Sequence, residues 1–387
     1  MSHSFNSRSV PKRMPVSPAE HTRGLLPTAE DGSRHASDGF TAGANDLILI
    51  TGANGFIGLR LVENLLRRGF CNLRCFVRRP SQRQVLEALL ARGEFGSARL
   101  EVVTGNLLSS DDCVEATRNA AVVFHLAAGR GEKSFPDAFM NSVVTTRNLL
   151  EACLLHKCLR RFVNVSSFTV YANGQKKSTV LDESCPVEDR PERRGEAYCF
   201  GKVKQDELVS EYGEKFGIPY VIVRPGYVYG PGKTAITGRV GIDTFGVFLH
   251  LGGSNQIPLT YVDNCADAIA LAGLKKGIDG EIFNIVDDEL PSSRDFLRLY
   301  KRNVKEFPSW YVPHAMSFGL CYLWEKYSQW SADQLPPVFN RKRWHANWQK
   351  TRYSNEKLKA RTGWAPQVPM AEGLGRYFEG CRLAEHD

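Results

Sequence analysis

The chain has 387 residues, of which 42% are hydrophobic and 24% charged, and its formal net charge is +8. That is enough apolar content for one large α/β domain with a smaller appendage, and no apolar run reaches the ~18 residues that would read as a membrane span. The 10 cysteines include no Cys-x-x-Cys pair and no histidines at zinc-ligand spacing; this argues against a disulfide framework, predicts no metal site, and points to free thiols in a reducing, cytoplasmic setting.

Residues 1–44 are rich in Ser, Arg, Pro and Gly and poor in large apolar side chains, which predicts a disordered tail. They lack the apolar stretch of a secretory signal, and Glu20, Glu30, Asp31 and Asp38 speak against a transit peptide. From Leu47 the pattern changes. Leu47–Ile50, Leu73–Val77, Leu100–Thr104, Val122–Ala127, Phe162–Ser167 and Tyr220–Arg224 read as buried strands. Leu59–Arg68, Ser134–His156 and Ala197–Phe216 show helical spacing between them. This alternation predicts an α/β fold with a Rossmann-type, doubly wound parallel sheet. After Arg224, Gly and Pro become frequent, a strand-like Glu281–Val286 follows, and residues 307–348 are dense in aromatics and Pro. The expected organisation is a nucleotide-binding domain over 45–225, with 259–287 returning to it. Residues 226–258 and 288–387 would form a smaller C-terminal, substrate-binding lobe over the strand ends.

Thr51-Gly52-Ala53-Asn54-Gly55-Phe56-Ile57-Gly58 directly follows the first strand and opens a helix. Gly52 would permit a tight turn, Gly55 the close approach of a pyrophosphate, and Gly58 close packing of helix on sheet. Free N–H groups at the helix start would face the phosphates. At the tip of the second strand, where NAD binders place an acid for the ribose, the chain has Arg78-Arg79. A guanidinium suits a 2′-phosphate, so NADP is favoured over NAD; the bland alternatives are solvated surface arginines or stacking of Arg78 on adenine. A basic tail and this cofactor site are a simpler account of the net charge than nucleic acid, since no basic patch with interleaved aromatics lies on a reader motif.

Tyr198 and Lys202 lie four residues apart in a helical stretch and so on one face. A phenol titrates near ~10, too high for a good base at neutral pH, and a nearby ammonium lowers that value. Tyr198 could then exchange a proton with a substrate hydroxyl during hydride transfer, with Lys202 also holding the nicotinamide ribose. Ser166 and Ser167 end the fifth strand, where ligands of doubly wound sheets sit, and Ser167 could hydrogen-bond the reacting oxygen. Cys199 beside Tyr198 reads as a small buried hydrophobe.

Together these residues resemble the extended branch of the short-chain dehydrogenase/reductase family, which includes nucleotide-sugar epimerases and dehydratases, 3β-hydroxysteroid dehydrogenases and dihydroflavonol-type reductases. The similarity runs from about Asp46 to the end of the chain. It implies cofactor contacts from Gly52, Asn54, Gly55, Phe56, Ile57 and Gly58, from Ala127 and Ala128 of His125-Leu126-Ala127-Ala128, and from Tyr198, Lys202 and Pro225. Ser167, Tyr198 and Lys202 fall on the catalytic positions. Asn141 with Thr145 matches the start of the helix after the fourth strand. Arg224–Pro231, Thr260–Asn264 and Gly363-Trp364-Ala365-Pro366 match later motifs.

Three departures bear on the ligands. Gly105-Asn106-Leu107 has an amide where the family's Asp reads adenine, with Asn106 and Leu107 still expected at the cofactor. Tyr227 stands where nucleotide-sugar enzymes carry Asn and is the expected substrate contact. Asn255-Gln256-Ile257-Pro258 lacks the cation that clamps a diphosphate, although Arg239 or Arg294 could substitute. Residues 307–330 resemble the insertion of steroid- and lipid-type members. The apolar Met316–Trp324 could lie on a membrane, with Arg341, Lys342 and Arg343 near headgroups; a lid helix packed over a small-molecule pocket is the preferred reading.

The leading expectation is therefore an NAD(P)-dependent oxidoreductase acting on a hydroxyl or ketone of a bulky substrate. The alternative is a nucleotide-sugar epimerase or dehydratase with recycled NAD. A non-catalytic NADP-binding regulator is disfavoured because Tyr198 and Lys202 are both intact. The family's dimers imply a homodimer through helices near 134–156 and 197–216.

Overall fold

The computed structural model describes residues 39–386 apart from 92–94, 97, 130–133, 176–179, 245 and 332–338. Seven strands, β1 (Leu47–Thr51), β2 (Asn72–Val77), β3 (Arg99–Thr104), β4 (Ala120–His125), β5 (Arg161–Val165), β6 (Tyr220–Pro225) and β7 (Ile282–Ile285), form one parallel sheet. Their spatial order is β7-β6-β5-β4-β1-β2-β3. The crossovers are helical: α1 (Phe56–Arg67), α2 (Arg83–Leu90), α3 (Ser110–Thr117), α4 (Thr145–His156), α5 (Ala197–Phe216) and α6 (Val262–Leu274). The strand order reverses between β1 and β4, which pair from Leu47↔Ala120 to Thr51↔His125. A crevice therefore opens beyond their carboxyl ends, the ligand position of such sheets.

The sequence pattern produces these elements for simple reasons. All five residues of β1 and all six of β4 are buried, as apolar runs between two helical layers must be. α1 buries Leu61, Val62, Leu65 and Leu66, one face at helical spacing. α5 ends where Gly217 adopts φ +69°, a left-handed conformation that costs a glycine little.

Three features differ from the sequence reading. β3 pairs only with β2, so as an edge strand it is half-buried rather than buried. The tail expected over 1–44 lies outside the described residues only as far as 38. Phe40 bridges Lys275 and packs 6.1 Å from Phe70, and Ala42 is buried, so 39–44 belong to the fold. The helix expected over Ser134–His156 is interrupted by a π-helical turn at Phe139–Val144. Asn141 therefore sits within that turn, while Thr145 opens α4 directly after it.

Beyond β6, Tyr227–Tyr229 pairs in parallel with Leu259–Tyr261. The hairpin Gly241–Thr244/Val247–His250 takes Ser309–Tyr311 as a third strand. α7 (Ser293–Asn303), α8 (His314–Trp330), α9 (Arg341–Trp348) and α10 (Met370–His386) follow, with a short helix over Glu356–Thr362 between the last two. Phe296 and Tyr300 of α7 and Tyr377 and Phe378 of α10 share the large core that contains Ile48 and Ile50 of β1. A separate small core of Leu251, Val312, Cys321, Trp344 and Trp348 joins the three-stranded sheet to α8 and α9. No described helix is long and apolar enough to cross a membrane.

Candidate active site

The loop from β1 to α1 is built for close approach. Gly52 has φ +70°, and a Cβ there would stand 3.0 Å from the Ala127 backbone nitrogen. Gly58 has no room at all: a Cβ would lie 2.1 Å from the Gly52 carbonyl oxygen. Gly55 caps α1 with no side-chain hydrogen bond, and no acidic residue occupies the first turn. The opening N–H groups of Phe56, Ile57 and Gly58 thus carry a positive dipole end without a carboxylate to neutralise it. This cradle fits a pyrophosphate.

The remaining predicted cofactor residues fall around the same crevice. Ala127 and Ala128 follow β4 and are half-buried. Arg78 and Arg79 follow β2, both exposed, with their backbone N–H groups held by Gln82 Oε1 at 3.1 Å each. Among the described residues no carboxylate pairs with either guanidinium. Asn106 is exposed; its side-chain oxygen accepts Leu108 N–H at 3.1 Å, and Asp112 holds the Asn106 N–H at 2.6 Å. Leu107 is buried. Asn141 is half-buried, its Nδ2 donating to the Asp137 carbonyl at 2.9 Å.

The Tyr–Lys–Ser group gathers at the carboxyl end of β5. Lys202 is only 3% exposed, and its Nζ donates to the Val165 carbonyl at 2.7 Å and to Gln205 Oε1 at 2.8 Å. Tyr198, one turn earlier on α5, is 40% exposed. Ser167 accepts the Thr169 N–H at 3.2 Å. Ser166 is committed elsewhere: with Asn164 and Arg224 it hydrogen-bonds buried Asp206, at 2.9, 2.9 and 3.1 Å. Cys199 is buried, and burial pushes its thiol up to about 11, so it behaves as a core residue.

A buried polar chain that sequence reasoning missed links Lys202 to the phosphate loop. Ala127 N–H donates to Thr51 Oγ1 (3.2 Å), which leaves the Thr51 proton for His125 Nδ1 (2.8 Å). His125 Nε2–H then donates to Thr146 Oγ1 (2.9 Å), whose own proton goes to the Ser142 carbonyl (2.6 Å). Gln205 donates through Nε2 to the same Thr146 oxygen (2.8 Å), because its Oε1 must face the ammonium. With the imidazole neutral and protonated at Nε2, every link is satisfied. Burial, with the Lys202 charge adding to it, lowers His125 to about 3 and keeps it neutral. The one signal in the sequence was Gln205 and Asp206 on the inward face of an otherwise amphipathic helix.

On the lobe side, Pro225 ends β6 and is buried. Tyr227 is half-buried, and its hydroxyl donates to the Ala235 carbonyl at 3.0 Å. Lys233, also missed in the sequence, places its ammonium 4.5 Å from the Tyr227 ring and 5.1 Å from that of Phe56. Arg239 is engaged by the Ala346 carbonyl (2.9 Å) and the Tyr353 hydroxyl (3.3 Å), and Arg294 lies over Tyr311.

Comparison with known proteins agrees with this geometry. Residues 48–286 match the family model described as the NAD dependent epimerase/dehydratase family. The chain is 27% identical over 357 residues to 3β-hydroxysteroid-dehydrogenase/decarboxylase isoform 1 of Arabidopsis thaliana, covering 86% of this chain and 78% of that protein. It is 29% identical over 262 residues to an A. thaliana trifunctional UDP-glucose 4,6-dehydratase/epimerase/reductase, covering 62% of this chain and 36% of that one. The fold matches UDP-glucuronic acid 4-epimerase from Bacillus cereus, solved with NAD, with a TM-score of 0.65, 22% identity and coverage of 87% and 99%.

Proposed function

The chain belongs to the NAD-dependent epimerase/dehydratase family and is a nicotinamide-dependent enzyme, and from that premise we propose that it is an NADP(H)-exchanging dehydrogenase or reductase of a bulky, apolar alcohol or ketone. The observation that carries the reaction type is the buried Lys202 held at the carboxyl end of β5, one turn from the exposed Tyr198. The cofactor is assigned to 45–225 with 259–287, and the substrate to 226–258 and 288–387.

When bound, the nicotinamide supplies or accepts the hydride. Gly52, Asn54, Gly55, Phe56, Ile57 and Gly58 would hold the pyrophosphate, Asn106 and Leu107 the adenine, and Ala127, Ala128 and Pro225 the nicotinamide side. Lys202, with two of its N–H bonds directed to Val165 and Gln205, would hold the ribose, and Tyr198, one turn away on the same helix, would exchange the proton. Ser167 orients the reacting oxygen. The Thr51–His125–Thr146–Gln205 chain fixes the ammonium, so it acts on the chemistry through position rather than contact.

Substrate class is inferred from what lines the lobe. A diphosphate needs a cation with free donors; Arg239 directs one Nη to Ala346 and Tyr353, Lys233 donates to the Val228 carbonyl beside two aromatic rings, and Arg294 lies over Tyr311. Tyr227 offers an apolar ring where sugar enzymes carry an amide. Similarity to the steroid-type relative covers 86% of this chain, whereas that to the sugar-acting one covers 62%. The second reading, a nucleotide-sugar epimerase or dehydratase that recycles NAD, is favoured by the Arg224–Pro231 segment, which fits both groups.

Exposed Arg78, with no carboxylate partner among the described residues, supports NADP over NAD. Replacing it with Asp should raise the Kd for NADPH at least about tenfold and leave that for NADH unchanged or improved, because one charge-assisted contact to a phosphate contributes roughly 1.5–3 kcal/mol. Titration of each nucleotide against protein fluorescence reads this directly. An unchanged NADPH affinity would remove Arg78 from the site.

A further inference from the structure

Helix α8 presents an apolar stripe outward. Of its 17 residues only Ser317, Cys321 and Ser328 are fully buried. That inner stripe meets α9, where Trp344 Nε1–H donates to Ser317 Oγ at 2.9 Å. Met316, Leu320, Leu323, Tyr327 and Trp330 follow at alternating spacings of four and three, so they share one face. They are 52, 57, 62, 49 and 81% exposed. The line is ~21 Å long at ~1.5 Å per residue, and an apolar patch of that extent marks a docking surface. The lid expected from the sequence would have turned these side chains inward.

The chemistry of the patch identifies its partner. Among the exposed residues of α8 the one charged side chain is Lys326. The helix's one carboxylate, Glu325, is half-buried and held by Arg341 at 3.0 and 3.1 Å. Lys326 and Arg341 both flank the Tyr322 ring, at 5.9 and 5.1 Å. Aliphatic side chains in the middle, Tyr and Trp at one end, and, among the described residues of the helix, a flanking cation without exposed acid describe a helix lying in the plane of a bilayer interface. A protein partner would instead call for a polar rim of donors and acceptors around the apolar centre. The net charge of +8 adds attraction to anionic headgroups.

We propose that the Met316–Trp330 face of α8 docks on the surface of a lipid bilayer that carries anionic headgroups. The placement suits an apolar substrate, which partitions into such a bilayer; this clause alone rests on the proposed function. α9 connects α8 to the catalytic helix, since Asn340 Nδ2 donates to the Arg194 carbonyl (2.9 Å) and Arg343 pairs with Glu196 (3.1 Å), the residue preceding α5.

Flotation of the full chain with phosphatidylcholine vesicles, with and without phosphatidylserine, tests the proposal. The wild type should float with the phosphatidylserine vesicles, less in high salt, and Leu320→Glu/Leu323→Glu should lower the bound fraction at least about tenfold. Both sites face solvent, so thermal unfolding should be unchanged. Tyr198→Phe should float like the wild type, which separates this result from the catalytic reading. A wild type that stays with the unbound fraction, or a double variant that floats equally well, would overturn it. So would light scattering that shows a non-floating dimer split by the double substitution, since the stripe would then be a contact between two copies.

Discussion

Gly58→Ala is expected to abolish dinucleotide binding. The single added carbon would stand 2.1 Å from the Gly52 carbonyl oxygen and 2.9 Å from both the Ala53 Cα and its carbonyl oxygen, all of them backbone atoms that cannot rotate away. Relief requires α1 to move off the loop, which takes the N–H groups of Phe56 and Ile57 out of register with the phosphates. Overpacking at a backbone contact costs about 1–3 kcal/mol in stability, sometimes more, and the lost anion site should weaken NADPH by at least about a hundredfold. Urea unfolding and nucleotide titration measure the two effects separately. Wild-type affinity in this variant would mean that the cofactor does not use this loop.

The second large effect is expected for Tyr198→Phe. The substitution keeps the ring and removes only the hydroxyl of a side chain that is 40% exposed. Loss of a positioned general acid–base group lowers turnover by about 10²–10⁴-fold, corresponding to roughly 3–5 kcal/mol in the barrier. Stability and NADPH affinity should be close to wild type, since Lys202 retains Val165 and Gln205 as partners. Steady-state turnover beside nucleotide titration checks both halves; unchanged turnover would remove Tyr198 from the proton-transfer step.

Local pattern made most of the sheet legible. β1, β4 and β5 are runs buried from both faces, and α5 lies over Ala197–Phe216 as its spacing indicates, because Gly217 gives it a definite stop. What escaped depends on long-range geometry. β3 has the composition of a buried strand, but no composition says that it takes the sheet edge. Phe40 and Thr41 sit in a polar stretch and are held by partners more than two hundred residues away, Phe40 by Lys275 and the Thr41 N–H by the Leu274 carbonyl. Glycines and the Tyr–Lys spacing are visible because their chemistry is local. The chain from Thr51 through His125 and Thr146 to Gln205 is not, because each link joins separate elements and has no period. α8 was read correctly as apolar, but an apolar helix does not reveal which of its faces the fold will cover.

The most direct test of the account is the identity of the nucleotide released when the freshly purified protein is denatured, read by mass, followed by uptake of NADPH and NADH. An exchanging oxidoreductase should release little nucleotide, and its empty site should take up NADPH in preference to NADH. Close to one tightly held NAD per chain would contradict this and identify an enzyme that recycles its cofactor, as an epimerase or dehydratase does.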